Sequence, residues 1–197
     1  MTMAGWVVTG LVLVAVVWAA AVYNRLAQTR NRIANAFGQI DVQLKRRHDL
    51  VPNLVEVAKR YLAHEAGTLE AVTRARGAAL GAADAARAAP TQATAIGALA
   101  TAEQALGSSL GRLLVVAEDY PELKADATMR ALSEELTSTE NRIGFARQAY
   151  NDQVLAFNDA ATRFPDLLVA RVLGFAPAAM LQSTQSAAER AAPKVAF

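Results

Sequence analysis

The chain has 197 residues, room for one domain and an anchor rather than two domains, and its 53% hydrophobic content comes with only 6% aromatics, which predicts a thin helical core. It has no cysteine, which excludes disulfides, thiolate nucleophiles and cysteine metal sites. A net charge of +2 is too mild for a nucleic-acid partner.

From Trp6 to Val22 there is no charged side chain. A helix from Gly5 to Tyr23 would cover roughly 28 Å, close to the ~30 Å hydrocarbon thickness of a bilayer. Trp6 and Tyr23 stand at its ends, where amphipathic rings anchor at headgroup level. The sequence before it, MTMAG, lacks the basic residues of a signal peptide, so residues 1–23 are expected to be a retained anchor. Arg25, Arg30 and Arg32 follow within ten residues. By the positive-inside rule they place the amino terminus outside and the rest in the cytoplasm, the three arginines meeting lipid headgroups.

No proline interrupts the chain from Tyr23 to Val51, so the anchor is expected to continue outward as the first helix of the domain, to about Ala63. Ile33, Phe37, Ile40, Leu44, Val51, Leu54, Ala58 and Tyr61 recur at alternating steps of three and four, one seam of a helix. Arg47 falls on that seam. Pro52 removes an amide donor and crowds the carbonyl of His48, so a kink must be tolerated there.

A bend at residues 64–67 leads to an alanine-rich second helix, 68–88, ended by Pro90 with Thr91 as a cap for the next. The third helix, about Thr91 to Ala117, carries Ile96, Leu99, Leu106, Leu110, Leu113 and Leu114. Gly77-x-x-x-Gly81 and Gly107-x-x-x-Gly111 read as close approach between these two helices. Tyr120-Pro121 breaks the third. The fourth helix, capped by Asp126, carries Met129, Leu132, Leu136, Thr139, Ile143, Ala146, Tyr150, Gln153, Phe157, Ala160 and Phe164 in strict three-four alternation, a coiled-coil-like pattern. Short connections make successive helices antiparallel. The fold class is all-α: an elongated up-down-up-down four-helix bundle over residues 24–165, with the transmembrane helix continuous with its first helix. Residues 166–181 are apolar and too short to span, at most an interfacial segment broken by Gly174 and Pro177; 182–197 read as a disordered tail.

Several short motifs occur in a fixed order: Tyr23-Asn24, QID-x-QLKRR-x-DL-x-PNLV from Gln39 to Val55, His64-Glu65, Ala75-Arg76, Glu118-x-Tyr120-Pro121-x-Leu123-Lys124, Glu140-Asn141, Arg147-x-x-Tyr150-Asn151 and Phe157-Asn158. In these the chain resembles the LemA family over most of residues 23–165. The resemblance implies a membrane-anchored, elongated helical bundle and supplies no catalytic residue.

The chemistry inventory is sparse. A di-metal carboxylate bundle needs Glu-x-x-His pairs, but the residues three before His48 and His64 are Lys45 and Tyr61, and position 68 is threonine, so no zinc-protease helix forms. His48 reads as a surface side chain beside the kink and His64 as a turn residue. No catalytic, cofactor or metal residue and no small-molecule substrate is expected. Stepping antiparallel along the first and fourth helices brings Arg47 level with Glu140, with Glu118 the alternative, and a guanidinium on an apolar seam requires such a carboxylate. Because the second and third helices are shorter, Leu26, Ile33, Phe37, Tyr150, Phe157 and Phe164 are expected to be partly uncovered and to form a homo-oligomer interface. The functional expectation is a non-enzymatic, self-associating scaffold in the bacterial inner membrane, partnered by the bilayer and by its own copies. The alternative is an adaptor for a membrane protease or signalling protein.

Overall fold

A computed structural model describes residues 2–182, and among these all regular structure is helical. Helix α1, Met3–Lys59, runs for 57 residues, about 85 Å at the standard rise, and carries the uncharged segment and the first seam without a break. α2 is Ala66–Ala88, α3 Ala93–Glu118, α4 the single turn Pro121–Ala125, α5 Ala127–Thr162 and α6 the short Asp166–Val172. The apolar run of α1 up to Trp18 projects uncovered from the helical body.

α1 packs against both α5 and α2, and α2 against α3. The senses follow from side-chain partners: Phe37 meets Tyr150 edge-on and Arg47 meets Glu140, so α5 runs antiparallel to α1 one residue for one. Asp41 pairs with Arg87 and the His48 carbonyl with Arg76, so α2 is antiparallel to α1 as well. The core divides into a distal cluster around Leu54, Leu62, Leu106, Leu113 and Leu123 and a middle one around Ile33, Phe37, Ile40, Tyr150 and Phe157. A third, beside the apolar run, joins Val22 and Leu26 to Ala161 and Val169.

Local chemistry sets the ends. Asp126 accepts from the amides of Thr128 (2.8 Å) and Met129 (3.0 Å), capping α5, and from the Tyr61 hydroxyl (3.0 Å), which ties the far end of α1 to it. The Met129 amide first, then the Tyr61 hydroxyl, hold the Asp126 carboxyl below its usual range, while the tyrosine is raised by donating to it. α1 stops at Lys59 rather than Ala63, leaving Tyr61 half-buried and Leu62 in the core. Thr91 does not cap α3: its N-cap is Gln92, with no side-chain cap bond.

Three further expectations need correction. The seam of α5 drifts from strict alternation, burying Val154 and Ala161 in place of Gln153 and Ala160, because a straight helix of 3.6 residues per turn cannot keep a 3.5-residue repeat. The glycines do not mediate α2–α3 approach. Gly77, Gly81 and Gly111 face open space, and the small buried residues of α2 are Ala79, Ala83 and Ala86. The proximal pair of α1 and α5 is not left uncovered. After α6 the chain turns at Gly174 (φ +72°) and runs back along the pair as a strap, residues 175–182, which puts Phe175 against Tyr23 and Phe157 and buries Ala178 and Leu181. Beyond Gln182 the tail expected to be disordered lies outside the described residues.

Candidate functional site

The most highly organised polar site lies midway along the body, where α1, α2, α3 and α5 meet. Arg47, 6% exposed, extends from the α1 seam between two carboxylates: its Nη1 stands 3.2 Å from Glu103 Oε2 on α3 and 3.1 Å from Glu140 Oε2 on α5. The other Glu103 oxygen is 2.7 Å from His48 Nε2, and His48 is buried. Gly107, one turn after Glu103, makes room, since a Cβ there would come within 3.2 Å of Arg47 Nη2. Pro52 has its consequence in the same place. Lacking an N–H, it leaves the His48 carbonyl without its helical donor, and Arg76 Nε reaches across from α2 to donate at 2.6 Å.

A cavity of about 230 Å³ borders this knot, lined in part by Arg47, Glu103, Ser108, Glu140 and Arg147. Among the described residues no cluster of histidine and acidic side chains is placed to hold a metal ion. The arrangement joins helices: one guanidinium and one imidazole of α1 share a carboxylate of α3, and the guanidinium also meets α5.

His48 is therefore not the surface side chain expected from its place near the kink. Arg47 and Glu140 are together as the antiparallel stepping required, but Glu103 is the better-buried carboxylate, and sequence reasoning missed it. Its signal was present: Ile96, Leu99, Leu106, Leu110 and Leu113 leave position 103 as the missing member of an apolar seam, the same irregularity that singled out Arg47. Glu118 ends α3 and takes no part. His64 is exposed in a turn.

The second organised site fastens the strap. Asn158 Nδ2 donates to the Ala178 carbonyl (3.0 Å) while its Oδ1 accepts from the Ala178 amide (2.8 Å). Two turns earlier on α5, Asn151 brackets Leu181 in the same way, at 3.1 and 2.9 Å. Beside them the Tyr150 hydroxyl oxygen stands 2.8 Å from the carbonyls of both Pro90 and Ala179, its single proton available to either, and burial pushes its pKa up to about 12.

Five of the six residues expected at an oligomer interface, Leu26, Ile33, Phe37, Tyr150 and Phe157, are thus buried within one chain, and only Phe164 is exposed. They are covered within one chain, Leu26 by α6 and the others by residues of α2, α3 and the strap, so they are not a free surface for a second copy. Of the arginines assigned to headgroups, Arg25 pairs with Asp166 of α6, whereas Arg30 and Arg32 are exposed on α1.

Comparison with known proteins adds the lineage. The model of the LemA family matches residues 36–197, which takes in the knot, the asparagine brackets and the strap. The chain belongs to the LemA family. Among curated LemA-like relatives, Magnetosome protein MamQ of Magnetospirillum gryphiswaldense is 32% identical over 78 residues, 40% of this chain and 29% of that protein. Magnetosome proteins MamQ 2 and MamQ 1 of Paramagnetospirillum magneticum are each 33% identical over 85 residues, 43% of this chain and 31% of theirs. This LemA chain therefore aligns with about three tenths of the length of those relatives.

Proposed function

We propose that this LemA-family chain is a non-enzymatic, single-pass membrane scaffold of the bacterial inner membrane, with its amino terminus outside and an up-down-up-down four-helix bundle in the cytoplasm, and that it works by self-association. The observation that carries this reading is the unbroken course of α1: the apolar run and the seam that organises the helical body are one helix. A body mounted on its own membrane helix stands at a fixed height above the bilayer. Copies in one membrane plane then present the same surface at the same level.

The surface that supports association lies higher than the buried proximal pair. Phe37 stands opposite Tyr150, and five residues farther along each antiparallel helix are Val42 and Phe145, which stand level and remain 60% and 74% exposed. Full-length protein in mild detergent and in nanodiscs is expected to be oligomeric by mass determination. Val42→Glu with Phe145→Glu should shift it to monomer with helicity unchanged. A wild-type monomer in both media, with no crosslinks between copies in native membranes, would sink the scaffold reading and leave an adaptor for a foreign protein.

A further inference from the structure

The outer face of α6 is left uncovered by the helical body. Its inner residues Val169 and Ala170 are buried against Val22 and Leu26 of α1 and Ala161 of α5. Its outer side is bare. Leu168 and Val172, one turn apart, keep 54% and 84% of their surface, and Phe164 just before the helix and Leu173 just after it keep 76% and 51%. An apolar stripe of this kind on a folded body marks a contact surface.

Its height on α1 decides the occupant. Val22 closes the uncharged run and Tyr23 is the ring at its edge, and α6 packs on Val22 itself. The bare stripe therefore stands at the level where the exposed apolar surface of α1 ends. Charge points the same way: Arg163 and Arg171 flank the stripe and are exposed, Arg30 and Arg32 follow on α1, and Asp166, the acidic residue of α6, is taken by Arg25.

We propose that α6 is a second membrane contact, an amphipathic foot. The face formed by Phe164, Leu168, Val172 and Leu173 lies at the boundary of headgroups and acyl chains, and Arg163 and Arg171 meet anionic headgroups. The proposal rests on the reading of α1 as a membrane span. It narrows the sequence expectation for residues 166–181, since the strap belongs to the helical body and only the foot is left for lipid. The foot is also coupled to the body. Asp166 and Val169 fasten it to α1, and the strap that leaves it is held by Asn158 and Asn151 on α5. A span alone lets the body lean in any direction, whereas a second contact beside the span fixes the direction of lean.

The natural chain has no cysteine, so single spin labels at Val12→Cys, Val115→Cys (exposed on α3, far from the apolar run), Leu168→Cys and Val172→Cys in the full-length protein can be read without background. In nanodiscs of mixed zwitterionic and anionic phospholipid, labels at 168 and 172 should lose most of the broadening by a water-soluble nickel chelate seen at 115, and gain broadening by oxygen. Nickel accessibility at 168 and 172 equal to that at 115, with 12 protected, overturns the foot and leaves the span standing. Labels at 168 and 172 shielded from both reagents and broadened by a second label overturn it in favour of a protein contact. Nickel reaching position 12 fails the span reading, and the foot with it.

Discussion

Arg47 shows how one misplaced charge organises its surroundings. The guanidinium and His48 are almost wholly enclosed and Glu103 keeps 13% of its side-chain surface, whereas Glu140 keeps 54%. The two carboxylates are therefore unequal. Glu103→Ala leaves Arg47 with a solvent-screened partner and His48 with none, and should cost about 3 kcal/mol or more. Glu140→Ala removes a half-exposed partner and should cost less than about 1 kcal/mol. Chemical unfolding followed by circular dichroism checks the order, and equal effects would mean that the two carboxylates share Arg47 evenly. Glu103 was legible in principle as a gap in an apolar seam. His48 was not, because its burial depends on a carboxylate 55 residues away in sequence.

Among the elements, the strap departs furthest from what periodicity can show. Residues 175–182 have no regular structure, yet the two asparagines on α5 each satisfy both the N–H and the C=O of one strap residue, as a neighbouring strand would. Those four hydrogen bonds are worth about 1 kcal/mol each. Replacing Asn151 and Asn158 together with alanine should release the strap. Hydrogen exchange at Ala178 and Leu181 is expected to rise sharply, while the amides of α1 and α5 around Arg47 keep their protection. Unchanged exchange at those two residues would show that the burial of Ala178 and Leu181 holds the strap by itself. Asn158→Asp keeps the acceptor and removes the donor, so its effect should fall between wild type and the double variant.

The whole molecule is a rod with a body folded back along its distal two-thirds, and the orientation proposed for it in the membrane rests on charge. Arg25, Arg30 and Arg32, just after the apolar run, are the observation behind the proposed outside amino terminus. On intact cells a membrane-impermeant maleimide should label Thr2→Cys and leave Val115→Cys, exposed on the body, untouched until the membrane is opened. The reverse pattern would invert the topology. The sequence alone determined the rod, the seam of α1, the breaks at Pro90 and Pro121 and the cap at Asp126, because each depends on residues within one or two helical turns. It also required a carboxylate for Arg47, since a charge on an apolar seam has no local remedy. Only the tertiary structure decided that Glu103 shares that role, that Gly107 makes room for the guanidinium, that Arg76 serves the carbonyl Pro52 leaves open, and that the strap covers the proximal pair. Each of these joins residues twenty or more positions apart, and a residue's burial is settled by what is laid over it, which no local period records.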